Sequence, residues 1–341
     1  MRLPKDRDFV ETEEGFIFCL VGHLHPPDRY TAYLKYTPSK AGRWARGAVR
    51  FHRELEYYHV RNVAKTLDFL RTHHPRYMSF DPVRNLSFSF VPRDAVTHYY
   101  RPEERLQAIL ASPADPLEKD VEALVSLLVG AGGPDPDALG ITGSILLKIH
   151  DVSFSDIDLL VYGGDATARV RAALTPLKKG GLIQPIAPDR LTRWRAETAD
   201  RFGLATEDVA HLEARRWNYF QFRDRYVSIH PTRWDDETVE TYGQHRYRAV
   251  GVARIEATVA DAADSIFLPA CYTLANVSFR EGQQRQMTEV ISHEGLYCQA
   301  ADRGDRIVAY GAVEQVDDGR CRLVVGAAGL PDGGFLKLLR N

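Results

Sequence analysis

The sequence predicts an α+β fold, and three observations carry that expectation. Runs rich in β-branched and aromatic residues open the chain, separated by turn residues. Helical periodicities alternate with short apolar runs through its middle. Short strands punctuated by glycine fill its C-terminal part. The expected organisation is an N-terminal α+β region over 1–100, a central core over 101–244 and a mostly-β region over 245–341, the last a small barrel or sandwich.

In order along the chain, Phe16–Leu24 and Arg29–Tyr36 read as strands around the turn sequence His25-Pro-Pro-Asp28. A helix is expected over about 54–71, with Leu55, Tyr58, Val63, Leu67 and Leu70 on one buried face and His73-His74-Pro75 ending it. Pro102-Glu103-Glu104 suits a helix start, because proline fits the first turn and acids fit the positive end. A second helix follows over Leu117–Val129, then a loop at 132–137. Leu139–Ile141 reads as a short buried strand, Ser144–Ile149 as the start of a helix, Asp156–Tyr162 as a strand and Ala166–Lys178 as a helix. Helices are expected near 189–202 and 205–215, and a hairpin joins Trp217–Phe222 to Tyr226–His230 through Arg223-Asp224-Arg225. Val252–Val259 and Leu323–Val325 are strands of the last region.

The chain has 341 residues, 44% of them hydrophobic, enough for substantial cores. Its net charge of −2 gives no overall basic field for nucleic acid. Arginine far outnumbers lysine, which fits phosphate recognition but more simply reflects genome composition. Cys19, Cys271, Cys298 and Cys321 form no CxxC pair, so a reducing compartment is expected. The first residues are too charged for a signal peptide, and no apolar run reaches the ~20 residues of a membrane span. The expectation is a soluble, cytoplasmic protein.

The chemistry concentrates in Leu139-Gly-Ile-Thr-Gly143-Ser144-Ile-Leu-Leu-Lys148 and Phe154-Ser-Asp156-Ile-Asp158-Leu-Leu-Val-Tyr-Gly163. Side chains alternate along a strand, so Asp156 and Asp158 project from one face while Ile157 and Leu159 enter the core. Two such carboxylates repel unless a cation joins them, and magnesium takes one or two carboxylates together with substrate phosphates. Gly143-Ser144 stands at a strand-to-helix turn, where glycine admits close backbone approach and free N–H groups face a phosphate.

The pattern resembles the nucleotidyltransferase superfamily of DNA polymerase beta, in which a Gly-Gly or Gly-Ser turn precedes an Asp-hydrophobic-Asp motif by about a dozen residues. Here 11 residues separate Ser144 from Asp156. Over its full length, through FVETEEGFIFCLVGHLHPPDR, ITGSILLKIH and SDIDLLVYG, the chain is similar to an archaeal family of predicted nucleotidyltransferases. The resemblance implies a nucleotidyltransferase-type mixed sheet with helices at 101–244, Mg2+ or Mn2+ at Asp156 and Asp158, and a nucleoside triphosphate on Gly143, Ser144 and Lys148. It implies transfer of a nucleotide to an acceptor hydroxyl on RNA, a protein or a small molecule.

The family usually adds a third carboxylate from a later strand. The corresponding segment here is Tyr226-Val-Ser228-Ile-His230, so Ser228 stands in the acid's place. His230, Glu256 and Asp224 are the substitutes, each with a simpler structural explanation; histidine is also a poor magnesium ligand. Lys148 serves equally as a phosphate contact or a solvated cation. The second reading is therefore a catalytically impaired nucleotide- or RNA-binding module. Weaker signals are Arg215-Arg-Trp217-Asn-Tyr219-Phe220, which mixes cations with aromatics as base-stacking surfaces do, the pair His23 and His25, and Arg190, Arg193 and Arg195. An amphipathic strand, a turn-flanking pair and a charged helix face explain them more simply.

Overall fold

The computed structural model describes residues 2–55, 60–327, 330 and 333–339. They form a mixed α+β structure of two compact units, each discontinuous along the chain. The first comprises Met1–Glu56, Val91–Ala187 and Trp217–Val239; the second comprises Tyr57–Phe90, Pro188–Arg216 and Glu240–Asn341. These units cut across the three consecutive regions expected. The strands at the start of the chain join the central core, while the helices near 189–214 join the C-terminal strands.

Elements are numbered along the chain. In the first unit, β1 (Phe9–Thr12), β2 (Ile17–Leu20), β3 (Arg29–Pro38), β4 (Trp44–Arg46), β5 (Val49–Arg53) and β8 (Val96–Tyr100) form a sheet in the order β4-β5-β3-β2-β1-β8. Next come α2 (Pro102–Ala111), α3 (Pro116–Gly130), β9 (Leu139–Ile141), α4 (Gly143–Leu146), β10 (Ile157–Tyr162), α5 (Gly164–Lys179), β11 (Tyr219–Phe222) and β12 (Arg225–Thr232). A four-stranded mixed sheet has the order β11-β12-β10-β9, with β10 and β12 parallel and the outer pairs antiparallel. Helices cover it because Leu124, Leu128, Val170 and Leu174 meet Ile157, Leu159 and Val161 in one core. That apolar packing fixes β10 in register, since a one-residue slip would carry Asp158 into the apolar core.

In the second unit, α1 (Val60–His73) and the hairpin of β6 (Met78–Asp81) and β7 (Leu86–Pro92) precede α6 (Pro188–Phe202) and α7 (Thr206–Ala214). Glu54 and Leu55, expected to open α1, are not helical, and the backbone of Glu54 donates to Lys35 O (2.9 Å). Val63 and Leu70 are buried in it as the periodicity predicts; Tyr58 lies outside the described residues. The remaining strands are β13 (Tyr247–Asp261), β14 (Ala270–Glu281), β15 (Met287–Ser292), β16 (Arg306–Val316), β17 (Cys321–Val325) and β18 (Phe335–Leu338). Pairing runs β13-β14-β15-β17-β16 and returns from β16 to β13, so five strands close a barrel, with β15 and β17 parallel. The expected choice between barrel and sandwich falls to the barrel. Ile255, Val259, Tyr272, Val290, Ile307 and Leu323 fill it, and Phe202 and Val209 of α6 and α7 belong to the same core. A bulge at Gly251 (φ +133) lets β13 bend to serve both neighbours.

Candidate functional site

Strand β9 delivers the chain to Thr142, whose N–H donates to Asp158 O (2.9 Å) while its hydroxyl donates to Arg7 O (3.0 Å). The next residue, Gly143, has φ +67, a conformation that a residue with a Cβ adopts only at a cost. A Cβ there would stand 2.8 Å from Asp158 Oδ2. The small-residue turn and the acid of the Asp-Ile-Asp motif are therefore in direct apposition.

The helix expected after this turn is a single turn. It stops because Lys148 is left-handed (φ +54), and the Lys148 side chain is exposed. The Ile145 carbonyl at its end accepts from Lys148 N and from Arg105 Nε (3.2 Å each). The Ser144 and Ser155 hydroxyls are 3.4 Å apart, and Ser155 Oγ also accepts from Asp151 N (2.9 Å). This pair joins the turn to the loop that presents Asp156. Asp156 is exposed and lies one residue before β10; Asp158 is half-buried within it.

Parallel pairing sets Ser228 of β12 directly beside Asp158 and His230 beside Leu160. Ser228 Oγ donates to Asp158 Oδ1 and lies 2.8 Å from His230 Nε2. A hydroxyl has one proton, and a carboxylate only accepts. With that proton directed at Asp158, His230 must carry hydrogen on Nε2 and donate it to Ser228. The order His–Ser–Asp thus ties up the serine proton and excludes Ser228 as a histidine-activated nucleophile. The Tyr219 ring stands edge-on to His230, centroids 6.2 Å apart.

The other substitutes for a third acid have surroundings of their own. Glu256 belongs to the second unit, where Arg280 grips both its oxygens (2.8 Å each). That hydrogen bonding to Arg280 holds the Glu256 carboxyl below its ordinary range. Asp224 is exposed at the tip of the β11–β12 hairpin.

The N-terminal strands bring cations that the sequence reading did not assign. Lys35 interrupts the otherwise buried run 31–37 of β3. Burial pushes its ammonium down to about 8, with the charges of Arg53 and Arg7 acting in the same direction and that of Asp158 opposing. Burial likewise raises the neighbouring Tyr36 phenol to about 12, an effect eased by Arg53 and increased by Asp158. Asp158 is thus within electrostatic reach of Lys35 and Tyr36 on β3. Edge-on packing of Tyr36 on Trp44 (5.7 Å) and of Trp44 on Phe154 (6.1 Å) runs from β3 to the Asp156 loop, where the Arg43 guanidinium also lies 3.5 Å from the Phe154 ring centre. A lysine within a buried strand was the one available sequence signal, because unpaired burial of its charge is costly.

Asp115, Glu118 and His150 also converge, with possible ligand atoms within 4.8 Å of one another. Their polar atoms are largely engaged. Asp115 caps α3 through Leu117 N and Glu118 N (2.8 and 3.0 Å) and pairs with His150 Nε2 (2.8 Å). Glu118 accepts from Arg105 and from Ala114 N (2.8 Å). This network anchors the end of the Gly143 segment to α2 and α3.

Several residues of the weaker sequence signals have local partners. His25 Nδ1 accepts from Thr31 N across its turn (3.0 Å). Arg215 pairs with Asp302 and Asp305 (2.7 and 2.9 Å), Arg216 lies over Trp194, and Asn218 donates to Ile229 O (2.7 Å). Arg195 pairs with Glu213 on α7. Among the described residues, no helix is long and apolar enough to cross a membrane.

Over 345 aligned residues the chain is 28% identical to an uncharacterized protein of Methanocaldococcus jannaschii, covering 98% of each. No family model matches the chain, and no solved structure matches it.

Proposed function

We propose that the protein is a metal-dependent nucleotidyltransferase of the cytoplasm, moving a nucleotide from a nucleoside triphosphate to an acceptor hydroxyl with release of pyrophosphate. The observation that carries this reading is the apposition of Gly143 and Asp158. A Cβ at 143 would fill the space before Asp158 Oδ2, so the glycine keeps that oxygen accessible. The donor set suits Mg2+ or Mn2+: Asp158 Oδ1 is engaged by Ser228, Oδ2 faces the turn, and Asp156 adds an exposed carboxylate. Asp156 and Asp158 would hold the ion, which when bound supplies charge neutralisation for the phosphates.

The chain's own groups supply the rest. Gly143 admits the phosphate tail to the backbone, and the Ser144 hydroxyl lies beside it. Lys35 sets positive charge near Asp158, where developing negative charge on a phosphoryl group is stabilised. His230 and Ser228 orient the Asp158 carboxylate. In-line attack on the α-phosphorus by an acceptor hydroxyl held in place completes the chemistry.

Ser228 favours a second reading, a binding module without turnover, because the residue beside Asp158 is a hydroxyl and not the expected acid. The discriminating experiment supplies α-labelled nucleoside triphosphates with Mg2+ and with RNA, protein and small-molecule acceptors. Label transfer that Asp156→Ala and Asp158→Ala each abolish supports the enzyme. Magnesium-dependent nucleotide binding without transfer to any acceptor supports the module. Transfer retained in either variant overturns the assignment of these acids.

A further inference from the structure

The barrel of the second unit carries its own cationic recess. The turn Asp317-Asp318-Gly319-Arg320 joins β16 to β17, and beside it the start of β13 is held to the β6–β7 hairpin by Tyr247 N donating to Val83 O (2.8 Å). A cavity of about 440 Å³ opens there, lined among others by Asn85, Arg246, Tyr247, Arg248, Gln315 and Asp317.

Its charge is not balanced locally. Arg246 and Arg248 are exposed, and among the described residues neither forms an ion pair with a carboxylate. Arg248 donates only to the neutral Gln315 side chain (3.0 Å). The acid in the lining, Asp317, is occupied by Arg246 N (3.2 Å) and His245 (3.3 Å). Tyr247 is held rigidly: the Arg322 guanidinium lies 3.5 Å from its ring centre, and its hydroxyl donates to Glu240 (3.0 Å). Asn85 and Gln315 add side-chain amides, which both donate and accept.

Two uncompensated guanidinium groups, a fixed aromatic ring and two amides form the chemistry that grips a phosphate backbone and stacks an unpaired base. One class of five-stranded barrel binds oligonucleotides through its loops and one strand face. We propose that this recess binds single-stranded nucleic acid, with Arg246 and Arg248 on phosphates and Tyr247 under a base. The proposal stands on the second unit alone and is independent of nucleotidyl transfer at Asp158.

The test is fluorescence anisotropy of the full chain with labelled oligo(U) and oligo(dT) of about twelve nucleotides. The expected result is binding to the single strands well ahead of a duplex of equal length. Preference between the two oligonucleotides assigns RNA or DNA as the source. The double variant Arg246→Gln/Arg248→Gln, both exposed and so tolerable to the fold, should weaken binding at least about ten-fold and reduce the log–log salt slope by about 1.4, at ~0.7 per lost phosphate contact. Tyr247→Leu should weaken binding by about ten-fold, while Tyr247→Phe, which keeps the stacking face, should retain it. No binding, equal affinity for duplex, an unchanged salt slope in the double variant, or tighter binding of an acidic peptide of like charge would each overturn the proposal.

Discussion

Gly143→Ala is the sharpest probe of the site, because its cost can be worked from the structure. The backbone at 143 has φ +67, and holding a residue with a Cβ in that region costs about 1–2 kcal/mol. The added methyl would also stand 2.8 Å from Asp158 Oδ2, closer than van der Waals contact allows. The carboxylate must then shift, and the shift strains its hydrogen bond from Ser228. A hydrogen bond to a charged group contributes about 1.5–3 kcal/mol, so the total loss should fall at roughly 2–5 kcal/mol. Urea unfolding of Gly143→Ala, Ser228→Ala and the double variant measures both parts. If the methyl acts through the Ser228–Asp158 bond, the two losses overlap, and the double variant is more stable than their sum by about 1 kcal/mol. A Gly143→Ala loss below about 0.5 kcal/mol, or strict additivity with Ser228→Ala, would refute the reasoning.

Further outcomes follow from the same geometry. Lys35 has a folded-state pKa of about 8 against an ordinary 10.5, so between these values the unfolded chain holds a proton that the folded chain has released. Stability should therefore rise as pH increases through that window, and Lys35→Met should flatten the rise in urea midpoint. Ser228→Asp places a carboxylate beside Asp158. It should destabilise the metal-free chain through like-charge repulsion and tighten Mn2+ binding, read as a melting temperature that falls without the ion and recovers with it. Glu256→Gln breaks a surface pair with Arg280 and should leave nucleotide affinity unchanged in an equilibrium binding assay.

Much of the central unit was legible because its signals are local. Leu139–Ile141 is an apolar run between turn residues, and Ile157–Tyr162 is nearly all apolar with one acid at its edge; both became strands. The parallel alignment of Ser228 with Asp158 was legible only in part: the strand segment put Ser228 in the place of the expected acid, but hydrogen-bond register lies beyond a sequence pattern. The one-turn α4 was misread as the start of a longer helix. Apolar spacing from Ile145 to Ile149 looks helical, yet Leu147 and Ile149 are buried by a chain that reverses at left-handed Lys148. Lys35 escaped notice for a different reason. It is more than 100 positions from Asp158 in sequence, and only the packing of β3 in the same unit brings its charge to bear on it. The same non-local pairing joined residues 1–56 to the core and 188–216 to the barrel, against the expectation of consecutive regions.

Calorimetric titration of a non-hydrolysable nucleoside triphosphate, with and without Mg2+, tests the central claim most directly when run on the native chain and on Asp158→Asn. Binding that requires the ion in the native chain and weakens at least about ten-fold in the variant is the predicted result. Equal affinity in both chains, or binding indifferent to Mg2+, would contradict it.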